Sequence, residues 1–417
     1  MTPSPKTVAR WPIAVAGVAM QMILGTVYAW SVFKKPLIAK HGWSELEVGL
    51  TFMLTIFFLG FSAALGGKLV DKAGTRKVAS IAAALFSAGM VLAGLADTFS
   101  SKWLLWLGYG VIAGIGNGLG YITPVAVLVR WFPDKKGTIT GLAVMGFGLG
   151  AAIMGQLAPF LMKYGVSIAA IFYASGAVFL AGMLLAARKL VNPPAEYALP
   201  AAKAATIPAV PSVDVSRAMT MYQFYILWGL LLLNVTAGIA IISNLSNMAQ
   251  EQLKITAVAA GTIVFATSLC NGMGRLVWAA LSEKIGRKAV FLILFASQVP
   301  LFFVLPHITN LWLFSIIACY ILLCYGGGFG TMPSFTADTF GPKNIGGIYG
   351  KILLAWGVAG VAGPLLMEWV KKNYSGFQVA LTVAAFVLAA GFILALLYRK
   401  PTLTATPSDK PKAPVTA

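Results

Sequence analysis

A single arginine stands inside an apolar stretch of the sequence. Arg275 follows the charge-free run 255–274 and precedes LVWAALS, the apolar segment that ends before Glu283. A cation in apolar surroundings is costly unless a partner or water compensates it. A planar guanidinium presents two parallel donors that match a carboxylate. We therefore predict that Arg275 binds a small organic anion.

Composition places that arginine in a membrane. Of 417 residues, 59% are hydrophobic and 10% charged, and the mean hydropathy is +0.84. A soluble core cannot bury that much apolar surface, so lipid must act as the solvent. The runs free of Asp, Glu, Lys and Arg are 11–33, 48–67, 78–96, 103–129, 137–162, 164–187, 218–250, 255–274, 289–337, 352–367 and 373–398.

One of these runs must hold two helices. About 20 apolar residues cross the ~30 Å of hydrocarbon, so 289–337 is too long for one span. A break at 306–310, with the sequence PHITN, divides it. The sequence therefore predicts an all-α membrane protein with twelve transmembrane helices, and Arg275 lies in the eighth.

The distribution of Lys and Arg predicts the orientation of the chain in the membrane. Most Lys and Arg residues fall in segments on the same side as the N-terminus, so we expect both termini in the cytoplasm. The formal net charge of +19 is spread over many short loops. This distribution predicts that the basic loops contact anionic lipid headgroups, and it predicts no nucleic-acid partner. Cys270, Cys319 and Cys324 lack the spacing of a zinc site or disulfide framework, and we expect no metal and no cofactor.

The sequence contains two similar halves. GKLVDKAGTRK at 67–77 follows the second span, and AALSEKIGRK at 279–288 follows the eighth, with Glu283 in the place of Asp71. Duplicated six-helix halves are typical of transporters that rock two bundles around a central site. The predicted domains are an N-terminal six-helix bundle at 1–187, a flexible cytoplasmic linker at 188–217, a C-terminal six-helix bundle at 218–400 and a disordered cytoplasmic tail at 401–417.

The segment GKLVDKAGTRK closely resembles the loop signature of the major facilitator superfamily, G-x-L-x-D-x-x-G-x-[RK]-[RK]. The resemblance implies two pseudo-symmetric six-helix bundles and a conformational switch at this loop, although a solvated loop is the alternative. Gly67 allows close helix approach, while Asp71 can cap a helix or pair with cations. The residues assigned to this switch are Gly67, Asp71, Arg76, Glu283 and Arg287.

Two further segments, GTVYAWSVF at 25–33 and RWFPDKKGTITGLAVMGFGLG at 130–150, resemble the oxalate/formate antiporter-like branch and, more distantly, the monocarboxylate transporters. The resemblance extends to bacterial lactate–proton symporters of this group. It implies that the eighth-span arginine, here Arg275, binds the substrate carboxylate. Asn271 stands where monocarboxylate transporters have an acid, and Trp356 stands where oxalate antiporters have a second cation. One cation favours a monoanion.

Other polar residues are candidates for the same site. The first, fourth and tenth spans line the cavity in the resembled fold, and their hydroxyl and amide groups can donate to a carboxylate. The alternative is that they satisfy interhelical hydrogen bonds. For Arg275 the alternative is snorkelling to the headgroups. The added candidates are Tyr28, Asn117, Tyr121 and Tyr325.

These observations lead to one expected function and its rivals. We expect a monomeric secondary transporter of small monocarboxylates, lactate-like or pyruvate-like, working by alternating access with proton symport in the bacterial cytoplasmic membrane. The rivals are a proton-independent carboxylate antiporter and a receptor that binds a carboxylate without moving it. An enzyme is not expected, because it would need a nucleophile with a base or a set of metal ligands. The two histidines of the sequence, His41 and His307, both lie near external loops.

Overall fold

The computed structural model describes residues 9–194, 211–242, 245–374 and 377–403, and this part of the chain is helical without any strand. Twelve of its helices are long and apolar enough to cross a membrane. They are α1 Trp11–His41, α2 Glu45–Ala73, α3 Thr75–Thr98, α4 Lys102–Trp131, α5 Lys136–Lys163, α6 Ile168–Lys189, α7 Tyr222–Ile242, α8 Ala257–Ile285, α9 Arg287–His307, α10 Leu311–Phe340, α11 Ile345–Leu366 and α12 Gln378–Leu397.

The predicted division of the long apolar run is confirmed, because α9 ends at His307 and α10 begins at Leu311. Asn310 caps α10, its side chain accepting a hydrogen bond from the Leu313 N–H at 3.0 Å. Such a cap satisfies one of the free amides at the start of a helix. Two shorter helices, Val215–Thr220 and Leu245–Leu253, precede and follow α7.

Equivalent glycines separate the helices at the repeated loops. Gly74 lies between α2 and α3 with φ 87°, and Gly286 lies between α8 and α9 with φ 93°. Side chains disfavour positive φ, so glycine is suited to both turns. The internal repeat that the sequence indicates therefore produces the same turn in both halves.

Three helices that carry predicted site residues are irregular. A 3₁₀ turn, Thr26–Ala29, interrupts α1 and contains Tyr28. A π-helical stretch, Trp106–Ala113, lies in α4. Helix α11 is interrupted at Leu353, and its second segment, Leu354–Asn373, continues beyond the membrane-spanning part that ends at Leu366. Irregular turns of this kind are frequent where helices bend or where ligands bind.

The two bundles meet where glycines let backbones touch. A Cβ built on Gly67 of α2 would lie 1.8 Å from the carbonyl oxygen of Gly346 in α11. Across the other contact, a Cβ on Gly148 of α5 would lie 2.6 Å from Cα of Gly272 in α8. Small residues at helix crossings give close van der Waals packing in membranes. The predicted fold class, twelve helices in two six-helix bundles, is confirmed.

The domain limits at 187 and 218 stay a prediction. Residues 195–210 of the predicted linker, and 404–417 of the predicted tail, lie outside the described residues. The described end of the linker packs against the second half, where the Val213 N–H donates to the Phe340 carbonyl at 3.0 Å. The Asn344 side chain donates to the carbonyl of Val213 at 3.0 Å. This part of the linker is therefore held against the loop between α10 and α11.

Candidate functional site

Arg275 lies on α8 between α5 and α10, and its side chain is fully buried. Its Nε donates to Asn271 Oδ1 at 3.5 Å, and Nη1 donates to the Val144 carbonyl at 3.4 Å. The guanidinium carbon lies 5.3 Å from the ring centre of Phe147 and 5.0 Å from that of Phe329. This geometry is not the snorkelling arrangement, which would expose the guanidinium.

One nitrogen of the buried guanidinium is without a partner among the described residues. Nη2 of Arg275 makes no hydrogen bond within the described residues. None of the ion pairs in that part of the chain includes Arg275. A buried charge without a counter-ion, and a buried donor without an acceptor, both carry a free-energy cost. An anion that entered this site would relieve both costs.

Aromatic side chains from five helices surround the arginine. Trp356 of α11 is at the centre of the group, with its ring 5.2 Å from Tyr121 and 4.7 Å from Phe329. The Tyr28 and Tyr325 hydroxyls lie 3.2 Å apart and join α1 of one half to α10 of the other. We call this group the central aromatic cluster, which consists of Tyr28, Tyr121, Phe147, Tyr325, Phe329 and Trp356.

The cluster also offers an unused hydrogen-bond donor. The Trp356 indole N–H is buried and has no hydrogen-bond partner within the described residues, whereas the Tyr121 hydroxyl lies beside that of Tyr349. Together with Nη2 of Arg275, the indole gives two unused donors among the described residues. Unused buried donors in a largely apolar enclosure are typical of a site for a small polar ligand.

Asn117 is placed differently from the other predicted site residues. Its side-chain N–H donates to the Leu24 carbonyl at 2.8 Å, which joins α4 to α1. No hydrogen bond connects it to Arg275 in the part of the chain that the structure describes. This is the interhelical bond that we considered as the alternative role for polar residues. Asn271, by contrast, contacts the arginine directly.

A second set of predicted residues lies at the face of the molecule where α1 begins and α12 ends, which we call the linker face. Asp71 accepts a hydrogen bond from the Gly347 N–H at 2.8 Å, at the start of α11, and forms an ion pair with Arg130. Arg130 also donates to the Lys343 carbonyl at 3.0 Å. Arg76 is exposed and makes no ion pair among the described residues, so Arg130 supplies the cation for Asp71.

The second half has a matching arrangement on the linker face. Glu283 at the end of α8 accepts from the Thr138 N–H at 2.9 Å and its hydroxyl at 2.8 Å, at the start of α5. Arg287 donates to Asp338 at 2.9 Å, and Lys136 donates to the same carboxylate at 2.7 Å. Asp71 and Glu283 therefore each bind the N-terminus of a helix in the other half, where a negative charge is stabilising.

Comparison with known proteins agrees with this architecture. The model of the Major Facilitator Superfamily matches residues 13–243 and 227–417. The chain belongs to the Major Facilitator Superfamily. It is accordingly a multi-pass membrane protein of a transporter family.

Superfamily relatives align along most of this chain. The uncharacterized MFS-type transporter YhjX of Escherichia coli is 29% identical over 87% of this chain and 88% of its own length. The oxalate:formate antiporter of Oxalobacter formigenes is 26% identical over 93% and 90%. The apicoplast pyruvate carrier 1 of Toxoplasma gondii is 27% identical over 69% and 63%.

Solved structures of the Major Facilitator Superfamily share the fold. The human organic anion transporter MFSD10 has a TM-score of 0.74 at 14% identity, covering 94% of this chain and 100% of its own. The transporter FucP, the fucose:proton symporter of Escherichia coli, has a TM-score of 0.67 at 17% identity in its outward conformation, covering 92% and 97%. At these identities the likeness establishes the fold alone.

Our sequence analysis missed Phe147 and Phe329, whose rings contact the Arg275 guanidinium. Both lie in a Gly-Phe-Gly triplet, at 146–148 of α5 and 328–330 of α10. Phe329 also stands four residues after Tyr325, and residues four apart share a helix face. That spacing, read beside the predicted Tyr325, could have identified it.

Proposed function

We propose that the chain is a secondary active transporter that moves small monocarboxylates, such as lactate-like or pyruvate-like acids, by alternating access with proton symport. The buried Arg275, whose Nη2 has no partner among the described residues, is the observation that carries the proposal. A carboxylate that binds there would replace a missing counter-ion and a missing acceptor in one step.

The same arginine gives a reason for coupling between binding and movement. Closing both halves around an empty site would leave a dehydrated cation without compensation, which is costly. A bound monocarboxylate neutralises the charge, so the loaded carrier changes conformation more readily than the empty one. Tyr28 and Tyr325 lie on opposite halves and meet at 3.2 Å, so they are suited to sense whether the halves have closed.

The surroundings of Arg275 favour a small anion with one negative charge. Trp356, rather than a second cation, lies in the cluster, 5.6 Å from Phe147 and 4.7 Å from Phe329 between ring centres. Two relatives named as an oxalate:formate antiporter and a pyruvate carrier support a carboxylate as the class of substrate. Simple charge matching then favours a monocarboxylate over a dianion.

Proton-independent carboxylate exchange is the second candidate. The relative named as an oxalate:formate antiporter, which aligns with 93% of this chain, favours it. Asn271, which contacts Arg275, cannot carry a proton in the way a carboxylate could. Symport therefore requires that the proton moves with the acid or through another group. We further propose a bacterial cytoplasmic membrane location, cytoplasmic termini and a monomer, the first two following the distribution of basic loops and the family resemblance.

Uptake into proteoliposomes tests both the substrate and the coupling. Labelled lactate should accumulate against its gradient when the lumen is alkaline relative to the outside, and unlabelled pyruvate should compete. Equal uptake with and without the pH gradient, combined with rapid counterflow, would replace symport by exchange. The absence of both uptake and counterflow for monocarboxylates, in protein that remains monodisperse, would overturn the proposal.

The arginine can be tested by a graded series. Arg275→Ala should raise the lactate concentration that gives half-maximal uptake at least about 30-fold, because losing one partner of a buried charge pair costs about 2–5 kcal/mol. Arg275→Lys keeps the charge but not the paired donors, so its loss should be smaller. Arg188→Gln, an exposed change at the end of α6, is the matched control. Full activity in Arg275→Ala would remove Arg275 from the site.

A further inference from the structure

A cavity of about 900 Å³ opens on the linker face, away from Arg275 and the central aromatic cluster. Pro133–Lys136, from the loop between α4 and α5, forms one wall, and the ends of α8, α9, α10 and α12 form the others. The cavity therefore belongs to both halves at once. The transport site uses neither Lys135 nor Lys400, which both line it.

The charges in this cavity are unequal. Five basic side chains line it: Lys135, Lys136, Arg287, Lys288 and Lys400. Three acidic side chains line it as well: Asp134, Glu283 and Asp338. The excess is positive, and the uncapped start of α9, with no acid in its first turn, adds partial positive charge.

The acidic side chains already have partners. Asp134 pairs with Arg10 at 2.5 Å, and Glu283 accepts from Thr138. Asp338 pairs with both Lys136 and Arg287. Two of the three carboxylates are therefore paired with cations, and the third is bound at the start of α5.

Two lysines remain available for a ligand. Lys288 is occupied, because its Nζ donates to the Leu396 and Tyr398 carbonyls, each at 2.8 Å. Lys135 and Lys400 are exposed and make no hydrogen bond or ion pair through their side chains within the described residues. They stand on different halves, Lys135 beside α5 and Lys400 after α12. A single anion between them would connect the two halves.

The position of the cavity identifies the kind of anion. The lipid-facing apolar surface of α12 includes Leu396 and Leu397, which are exposed by 50% and 61%, and ends before Arg399 and Lys400. Exposed Ile285 gives the cavity an apolar edge. Lysines beside an apolar helix surface match a phosphate headgroup with acyl chains attached. We propose that this cavity binds the phosphate headgroup of an anionic phospholipid, held by Lys135 and Lys400.

Such a lipid would favour one conformation. The cavity exists in full only while the two halves meet on the linker face, as they do through Lys136 and Asp338. A ligand that binds one conformation more tightly shifts the population towards it. The lipid therefore stabilises the state closed at the linker face. This inference does not depend on which substrate the carrier moves.

Thermal unfolding of purified protein in detergent tests the site. The probe lipids are phosphatidylglycerol and, as the uncharged comparison, phosphatidylcholine. Phosphatidylglycerol should raise Tm of the wild type several degrees more than phosphatidylcholine does. The double variant Lys135→Gln with Lys400→Gln should lose most of that difference. The control Arg188→Gln with Lys189→Gln removes two exposed charges from the same face, outside the cavity, and should keep it.

The outcomes separate the possible ligands. Equal phosphatidylglycerol effects in the two double variants would overturn the site. If inorganic phosphate alone reproduces a shift that depends on both lysines, the ligand is a free phosphate and the lipid assignment is wrong. Native mass spectrometry provides a second measurement: the cavity variant should retain one fewer phosphatidylglycerol than the control, and unchanged retention would contradict the proposal even if a variant unfolds early.

Discussion

At the scale of single residues, the main feature is Arg275, a charged side chain that is fully buried, where burial of a charge costs free energy. Two aromatic faces lie within 5.3 Å of the Arg275 guanidinium, and two oxygen acceptors take two of its donors. A cation–π contact contributes about 0.5–2 kcal/mol depending on desolvation. These contacts offset part of the burial cost of the charge, while Nη2 has no hydrogen-bond partner in the described part of the chain.

Trp356 provides a residue-scale prediction about selectivity. Replacing this fully buried ring by Trp356→Lys places a second cation near Arg275, and two like charges destabilise each other unless a dianion bridges them. We expect lactate transport to fall and competition by oxalate to rise, changing the oxalate-to-lactate preference about tenfold or more. The measurement is inhibition of labelled uptake by each acid.

The control for this change is Trp356→Phe, which keeps an apolar ring and adds no charge. It should retain the preference for monocarboxylates, although the smaller ring leaves space that weakens packing. An unchanged preference in a monodisperse Trp356→Lys protein would mean that Trp356 does not discriminate between anions of different charge.

At the scale of helices, contact between the halves depends on backbones that touch. On α2, Gly67 meets the carbonyl of Gly346 in α11, while Gly49 on the same helix has open space where a Cβ would stand. Asp71 reaches the first turn of α11 from the same helix. Helix α2 therefore contacts the other half near the linker face. At its other end Gly49 contacts no neighbouring helix at the position of a Cβ.

These two glycines form a matched pair for mutation. Gly67→Ala puts a Cβ 1.8 Å from the Gly346 oxygen, which forces α2 and α11 apart, and overpacking of this kind costs about 1–3 kcal/mol. We expect a lower Tm and uptake reduced about tenfold. Gly49→Ala meets no atom within 4 Å, and a helical alanine is more stable than glycine by about 1 kcal/mol. Its Tm should stay the same or rise. Equal behaviour of the two variants would refute the role given to Gly67.

At the scale of the whole molecule, the two halves face each other as pseudo-symmetric partners. Asp71 binds the start of α11, and Glu283 binds the start of α5. Lys136 of the first half and Asp338 of the second form an ion pair at 2.7 Å beside them. The structure is therefore closed at the linker face, and the alternating access that we propose requires these contacts to open.

Cross-linking across that face tests the requirement. The variant Lys136→Cys with Asp338→Cys, made after replacing Cys270, Cys319 and Cys324 by Ser, should be joined by a short bifunctional thiol reagent. Because the link holds the halves together, uptake should fall at least about tenfold and recover when a cleavable reagent is reduced. Each single variant treated in the same way serves as the control. Unimpaired uptake in fully cross-linked protein would show that this face does not open during transport.

The sequence by itself determined the number of membrane helices, the internal repeat and the position of Arg275 within an apolar span. These properties depend on apolar length and on the cost of charge in lipid, which are local to each segment. It also indicated Tyr28, Tyr121, Tyr325 and Trp356, which the structure brings together around Arg275.

Only the tertiary structure decided which side chains meet. Phe147 and Phe329 contact the guanidinium because α5 and α10 pack on either side of α8, and the pairing of Asp71 with Arg130 instead of Arg76 depends on where α4 ends. Asn117 donates a hydrogen bond to α1 because α4 packs against that helix. Contacts between distant segments depend on helix rotation and crossing, and hydropathy along one chain carries no information about either.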